Sequence, residues 1–140
     1  MKTLVVDAGT SSVRIVVFDL DGAKILEEQI PLVPSTPFPG LVEFDASELA
    51  AVVLNACRSA VNQVDGIDHV AVTNQPASTV VWDRKSGEPV APALGWQDLR
   101  TIGRCLELRA ENFRTAPNAT ATKAEAILDA VDPERSRDLC

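Results

Sequence analysis

The chain has 140 residues, 46% of them hydrophobic and 24% charged, and its formal net charge is −7 at pH 7. This composition is that of an ordinary globular protein, and the length suits one domain rather than two. No apolar run approaches the roughly 20 residues that a membrane-spanning helix needs. The acidic balance argues against nucleic-acid binding, because proteins that bind nucleic acids usually carry a basic face. We therefore expect neither a membrane nor a nucleic-acid partner. In a chain with this negative charge, any phosphate group would have to bind at a small local site.

The chain begins with a predicted strand, Thr3–Asp7, that enters a polar turn and leaves it as a second predicted strand, Val13–Leu20. A glycine in such a turn lets the backbone approach a ligand, and the N–H and hydroxyl groups can donate to phosphate oxygens. A carboxylate can hold Mg²⁺, and an arginine adds a planar cation with several donors. The candidate metal residue is Asp7, and the candidate phosphate residues are Gly9, Thr10, Ser11, Ser12 and Arg14. A β-hairpin turn without a ligand is the alternative.

The next elements continue the pattern of short strands followed by a helix. Asp21-Gly22 is typical of a hairpin turn and predicts a third strand beginning at Lys24. Four prolines then interrupt regular structure, and we interpret this segment as an ordered excursion of the same domain. A helix is expected from Asp45 or Ser47 to a point near Gly66, because apolar residues recur there at helical spacing. These residues are Leu49, Val52, Val53, Ala56, Ala60 and Val64.

The second half of the chain predicts two further strands and two further helices. The strands are His69–Thr73 and Thr79–Asp83, and the helices are Leu99–Glu111 and Thr122–Val131, the last beginning from a threonine-rich cap. Antiparallel strands followed by a helix, another strand and more helices indicate an α/β domain with a mixed sheet and flanking helices. The three cysteines are odd in number and form no C-x-x-C pair, which predicts reduced thiols. With no signal-peptide core after Met1, we expect a cytoplasmic location.

Three segments in order resemble the N-terminal part of the FGGY carbohydrate kinases, most closely the glycerol kinase branch. They are the Asp7–Arg14 turn, Pro39–Asp45, and the stretch from Val72 to Thr101 that contains Asn74-Gln75 and Trp96-Gln97-Asp98. The resemblance covers the chain from Leu4 to about Val131. It implies the ribonuclease H-like fold of the actin and hexokinase ATPases, with residues 1–140 as a truncated first domain and the second nucleotide-binding domain absent.

The resemblance also implies an activity and its cofactors. FGGY kinases phosphorylate a hydroxyl of a sugar or polyol with ATP and Mg²⁺, and their turn equivalent to Asp7–Arg14 holds the ATP phosphates and the metal. Their catalytic base is an aspartate of the second domain, so no base is assigned here and the isolated chain is expected to be inactive. A homodimer is left open.

The sugar-binding side departs from the glycerol kinase pattern. Glycerol kinases follow Asn-Gln with an Arg-Glu pair that binds polyol hydroxyls, and these positions are Pro76 and Ala77 here. A family tyrosine is replaced by Asn118. Trp96 can pack against the C–H face of a sugar, and Gln75 and Asp98 are candidate polar partners, with buried or structural roles as the alternative for each.

Two other functions remain open at this point. Val17–Gly22 resembles the aspartyl-phosphate motif of haloacid dehalogenase-like phosphatases, in which the first aspartate, here Asp19, is the nucleophile; Ala23 stands where that motif has threonine. A non-catalytic remnant or binding module also fits, because the Arg-Glu pair is absent. The chain has a single histidine, His69, which argues against a histidine-based triad or zinc site.

Overall fold

The computed structural model describes residues 1–140, which form six strands and three helices. In chain order these are β1 (Thr3–Ala8), β2 (Ser12–Phe18), β3 (Lys24–Pro31), β4 (Glu43–Phe44), α1 (Ala46–Gln63), β5 (His69–Asn74), β6 (Ala93–Leu94), α2 (Ile102–Ala110) and α3 (Thr120–Val131). They group into two compact units. The first unit contains residues 1–33 and 48–75, and the second contains residues 34–47 and 76–140.

The first unit contains a mixed four-stranded sheet with the strand order β3-β2-β1-β5. β2 pairs antiparallel with both β1 and β3, whereas β5 pairs parallel with β1. The predicted antiparallel start and the predicted mixed sheet are therefore confirmed. The third strand runs to Pro31, well beyond the Lys24–Leu26 run in which it was expected.

The core of the first unit follows from alternation along β1 and β2. Every second side chain of a strand lies on the same sheet face, and here one face carries the apolar set that packs against α1. Its buried members are Leu4, Val6, Val13, Ile15, Val17, Ala56, Ala60 and Val64. The residues between them in β1 and β2, among them Asp7 and Arg14, occupy the opposite face. That opposite face is mixed, because it carries Val5, Val16 and Phe18 as well as Asp7 and Arg14.

Helix α1 matches its predicted position, and its ends have local causes. The Asp45 carboxylate accepts a hydrogen bond from the Ser47 backbone N–H at 2.8 Å, which satisfies one of the free donors at the helix start. The helix ends at Gln63, and Gly66 follows with φ of 68°, a conformation that favours glycine.

The turn between β2 and β3 uses the carboxylate of Asp19. Its Oδ1 accepts backbone hydrogen bonds from Asp21 at 3.0 Å and Ala23 at 2.8 Å. Because these bonds start the turn, β2 ends at Phe18 rather than at Leu20 as expected. The residue that would be the nucleophile in the phosphatase alternative thus contributes two hydrogen bonds to a hairpin.

The second unit corrects three expectations. Thr79–Asp83 is not a strand: Thr79 bridges Leu94 and Trp82 bridges Pro89, so its residues pair with separate short segments and build no continuous ladder. The two-residue strands β4 and β6, which pair antiparallel, were not predicted. The two helices also begin elsewhere. α2 starts at Ile102 rather than Leu99, since the Leu99 N–H is already bonded to the Gly40 carbonyl.

Helix α3 starts at Thr120, two residues earlier than expected, and the predicted threonine cap is wrong. Ala119 occupies the cap position and makes no side-chain cap hydrogen bond. Thr122 lies inside the helix, where its hydroxyl donates to the Thr101 hydroxyl and the Ala119 carbonyl. The helix ends at Val131 as predicted.

The cysteines are all unpaired: Cys57 is half-buried, Cys105 buried and Cys140 exposed. None of the helices combines the length and apolar content that crossing a bilayer requires.

The register of β1 with β5 sets up a direct test of where the core ends. Val6 and Val72 face each other across the two strands, yet Val6 is 2% exposed and Val72 is 73% exposed. We expect Val6→Ala to lower the free energy of unfolding by about 2 kcal/mol, through lost burial and a cavity, and Val72→Ala to lower it by under about 0.5 kcal/mol. Urea denaturation of both variants measures the difference. Equal costs would contradict this boundary of the core.

Candidate functional site

The turn between β1 and β2 holds its backbone unusually close. The Gly9 N–H donates to the Ser12 carbonyl at 3.0 Å. A Cβ placed on Gly9 would lie 3.1 Å from that carbonyl oxygen, which is closer than an ordinary contact. Glycine at this position therefore allows the approach of the two backbone segments and leaves open the space where a side chain would project.

Asp7 lies between two polar residues on the sheet face opposite α1. In register, Arg14 of β2 faces it on one side and Thr73 of β5 on the other. Asp7 is half-buried, Arg14 is exposed, and no hydrogen bond or ion pair within the chain engages the Asp7 carboxylate. A carboxylate, a guanidinium and a hydroxyl are thus in adjacent register positions beside the glycine turn.

The turn hydroxyls differ in their surroundings. Ser12 Oγ accepts a hydrogen bond from Gln29 Nε2 of β3 at 3.0 Å, so this hydroxyl is already oriented by the protein. Ser11 is exposed, and its carbonyl accepts the Leu32 N–H at 2.9 Å. Thr10 is half-buried between Gly9 and Ser11. The predicted phosphate residues are therefore brought together in one turn, with Ser11 the most accessible hydroxyl.

The donor set of this turn fits a magnesium-bound phosphate better than a metal held by protein ligands alone. Residues 1–140 contain no group of three or more His, Cys, Asp or Glu side chains placed to hold a metal ion. Mg²⁺ commonly takes one or two carboxylates and completes its shell with water and substrate phosphate oxygens. A single free carboxylate beside the hydroxyls of the turn meets that requirement.

In the second unit, Trp96 and Asn118 line one depression of about 370 Å³ together with Gln97, Leu99 and Pro117. Trp96 is 42% exposed, so part of its indole is accessible from solvent. Its backbone N–H donates to Ser78 Oγ at 3.2 Å. Two of the predicted sugar-side residues are therefore adjacent, and the depression that they share carries no charged side chain.

Asp98 has a different environment from the one expected for a sugar ligand. Its side chain has no exposed surface, and its oxygens accept hydrogen bonds from the Val42 N–H at 2.7 Å and from the backbone and guanidinium of Arg100. Arg100 also donates to Glu43 at 2.6 Å. Burial by itself raises the pKa of Asp98, but the hydrogen bonds from Arg100 and Val42 outweigh it and hold that pKa below its usual value of 3.8. Both oxygens are therefore engaged within the protein.

The remaining sugar-side residues lie on the turn after β5. Gln75 closes the first unit, where its N–H donates to the Ala8 carbonyl at 3.1 Å. Pro76 and Ala77 open the second unit. Ala77 has φ of 61°, a left-handed conformation that a residue with a Cβ adopts at a cost. Its carbonyl accepts a hydrogen bond from Lys123 Nζ at 3.1 Å.

Sequence reasoning missed two neighbours of these residues. Thr73 adjoins Asp7 only through the parallel register of β5, for which the sequence carries no local signal. Lys123 is 0% exposed and reaches both Ala77 and Gly95, although a lysine is almost never fully buried. Burial lowers the pKa of Lys123, and the nearby Asp98 carboxylate acts in the opposite direction without cancelling the effect.

The buried Asp98–Arg100 pair predicts a pH-dependent contribution to stability. We expect Asp98→Asn to lower the free energy of unfolding by about 3 kcal/mol at pH 7, because it removes the buried charge that accepts hydrogen bonds from Val42 and Arg100 and leaves Arg100 with Glu43 as its only carboxylate partner. The matched change Asp138→Asn, in an exposed pair with Arg84 at 3.0 Å, should cost under about 1 kcal/mol.

The pH dependence follows from the direction of the pKa. Because the folded-state pKa of Asp98 is depressed, its stabilisation is fully present above 3.8 and is lost as pH falls through the lower folded-state value. The gap between wild type and Asp98→Asn in urea unfolding should therefore narrow below pH 3.8. A gap that stays constant down to the acid transition would contradict a charged Asp98 in the folded state.

Comparisons with known proteins place this chain in a family. Residues 2–127 match the N-terminal domain of the FGGY family of carbohydrate kinases. Glycerol kinase 2 of Streptomyces coelicolor is 37% identical over 146 residues, a match that covers 94% of this chain and 28% of that protein. The chain spans 22% to 30% of the length of the curated relatives that it matches.

Solved structures agree on the fold. A glycerol kinase from Plasmodium falciparum with ADP superposes with a TM-score of 0.81 at 20% identity, covering 94% of this chain and 29% of that one. A xylulose kinase from Rhodospirillum rubrum gives a TM-score of 0.80 at 21% identity, covering 96% and 30%. The expected ribonuclease H-like fold of the actin and hexokinase ATPases is thereby confirmed, and the chain belongs to the FGGY family of carbohydrate kinases, whose N-terminal domain its residues 2–127 match.

Proposed function

We propose that this chain is the part of an ATP-dependent carbohydrate kinase that contacts the nucleotide phosphates and the sugar or polyol. One observation carries the phosphate side: the free Asp7 carboxylate stands beside the Gly9 turn and in register with Arg14. Phosphoryl transfer needs positioning and charge neutralisation more than covalent chemistry from the protein, and this set of groups supplies both.

The residues have separable roles in this proposal. Asp7 holds Mg²⁺, directly or through water, Gly9 lets the phosphate approach the backbone, and the hydroxyls of Thr10, Ser11 and Ser12 donate to phosphate oxygens. Arg14 offers a planar cation on the same sheet face. Mg·ATP, when bound, supplies the phosphoryl group and the metal charge.

On the sugar side, the accessible part of Trp96 packs against the C–H face of the substrate, and Asn118 offers an amide at the same depression. Gln75 provides a polar side chain at the end of the first unit. Asp98 acts indirectly, because its hydrogen bonds to Val42 and Arg100 fix the backbone that follows Trp96. The family resemblance assigns the base that takes the hydroxyl proton to an aspartate of the second domain, and no carboxylate lines the Trp96 depression.

Pro76 and Ala77 restrict the choice of substrate. Neither side chain can hydrogen-bond a hydroxyl, and a small polyol such as glycerol depends on such bonds because it offers little apolar surface. The proposal therefore favours a longer sugar or polyol, in the class of the pentuloses, over glycerol. On this proposal the chain keeps the fold of a sugar kinase, and its substrate preference differs from that of glycerol kinases.

Magnesium-dependent nucleotide binding tests the phosphate site in the chain itself. We expect Mg·ATP to shift the amide resonances of residues 7–14 in a titration followed by NMR, with a dissociation constant on the order of 1 mM, because the contacts stay solvated. Asp7→Asn should abolish the effect of Mg²⁺ on the affinity. Asp21→Asn, which also changes an aspartate beside a glycine-containing turn of the sheet, should leave it unchanged.

Two outcomes count against this assignment. If Asp7→Asn keeps the full Mg²⁺ dependence, Asp7 does not hold the metal. If the affinity is micromolar, the chain contains a more complete nucleotide site than the turn can explain.

Substrate preference tests the sugar side in a full-length kinase that carries this chain. With ATP, kcat/KM for glycerol should be lower than that for xylulose or ribulose by about tenfold or more, because missing hydrogen bonds reduce discrimination and affinity together. Erythritol serves as an intermediate polyol. Glycerol as the best of the four substrates would refute the role assigned to Pro76 and Ala77.

A further inference from the structure

Lys123 is the largest fully buried side chain of the molecule, and its ammonium group contacts no carboxylate. Its side chain is 0% exposed. Nζ donates to the Gly95 carbonyl at 2.6 Å and to the Ala77 carbonyl at 3.1 Å, and no carboxylate oxygen lies within 4.0 Å of it. Burying a lysine has a large desolvation cost, which a methionine of similar length would avoid. The partners of the ammonium group therefore indicate what this residue does.

Both partners are backbone carbonyls next to sugar-side residues. Gly95 directly precedes Trp96, and Gly95 is so tightly packed that an added Cβ would lie 3.0 Å from Val42 Cγ1. Ala77 is one of the residues that replace the hydroxyl-binding pair of glycerol kinases. Lys123 thus connects the segment that departs from the glycerol kinase pattern to the segment that carries Trp96.

The Ala77 backbone needs such a partner. Its φ of 61° is unfavourable for a residue with a Cβ, so the surrounding structure has to hold it. Three sets of hydrogen bonds tie this segment to the Trp96 segment: Thr79 and Leu94 exchange two backbone bonds at 2.8 and 2.9 Å, Ser78 Oγ accepts the Trp96 N–H at 3.2 Å, and Lys123 bridges the Ala77 and Gly95 carbonyls. Removing the lysine would break its bonds to both carbonyls at once, although the Gly95 carbonyl would keep the Asp98 N–H at 3.0 Å.

We propose that Lys123 is a positioning residue of the sugar site, which ties the Pro76-Ala77 turn to the Gly95-Trp96 segment and thereby fixes the indole face that the substrate meets. This inference rests on the sugar site proposed above. Lys123 itself has no exposed surface and acts through the two backbone segments. It links α3 to substrate recognition, although no residue of α3 lines the depression at Trp96.

The test compares Lys123→Met with Thr122→Val. Thr122 is the preceding residue of α3 and is 3% exposed, but its hydroxyl bonds to Thr101 at 3.1 Å and reaches neither segment. Both changes remove a buried polar group from the same helix, so both lower global stability. Only Lys123→Met should change the backbone at the sugar site.

Amide hydrogen exchange of the 140-residue chain gives the readout, which needs no ligand. We expect Lys123→Met to accelerate exchange at Ala77, Ser78 and Trp96 by about fivefold beyond the average for the second unit, because one to two hydrogen bonds that hold these segments are lost. Thr122→Val should accelerate exchange uniformly across the second unit. Lys123→Gln, which keeps two N–H donors on a shorter stem, should show an intermediate local effect and replaces the methionine variant if that variant does not fold.

A second measurement tests whether Lys123 affects sugar binding at Trp96. It follows Trp96 fluorescence in a Trp82→Phe variant, in which Trp96 is the only tryptophan. Xylulose should change the emission of the parent chain, and Lys123→Met should reduce that response about fivefold while Thr122→Val retains it. Equal local exchange in the two variants would overturn the positioning role. The parent chain could show no response to xylulose while Lys123→Met still accelerates local exchange more than Thr122→Val does. That result would refute the proposed sugar site but would still support the role of Lys123 in positioning the two segments.

Discussion

The first unit depends on β1 being paired on both sides. Hydrogen bonds to β2 and to β5 hold it in one register, and its alternating side chains then fall on opposite faces. Leu4 and Val6 enter the core under α1, and Asp7 lies on the other face. A slip of one residue would exchange the faces, placing a carboxylate in the core and a valine at the candidate site, so the core and the phosphate turn are specified by the same pairing.

The second unit is organised by buried polar groups rather than by a continuous sheet. Its apolar cluster has only three buried members, Val81, Leu94 and Ile127. Around it, Asp98 joins Val42 to Arg100, and Lys123 joins Ala77 to Gly95. Such networks fix backbone positions in one arrangement because an unmet buried charge is so unfavourable. This is a suitable way to hold loops that must present a tryptophan without a strand beneath them.

The sequence was sufficient for those features that depend on neighbours along the chain. Runs of β-branched residues predicted β1 and β2, a glycine turn predicted the hairpin before β3, and helical spacing with a cap at Asp45 or Ser47 predicted α1. Thr79–Asp83 has β-branched residues but lacks a long partner, so propensity alone gave the wrong element. The candidate phosphate residues of the Asp7–Arg14 turn could be predicted because they are contiguous in sequence. Thr73 and Lys123, by contrast, join the candidate sites only through pairing and packing between residues far apart in sequence.

At the Pro76-Ala77 turn, the conformation of the backbone is held independently of which side chains the two residues carry. Its conformation is tied through a carbonyl, which every residue possesses, to a buried lysine on another helix. Substitutions at these two positions can therefore exchange polar for apolar groups while the anchoring bond is kept. In evolutionary terms, such a turn lets its side chains change by small steps, because the anchoring bond holds the same backbone atom whichever side chain is present.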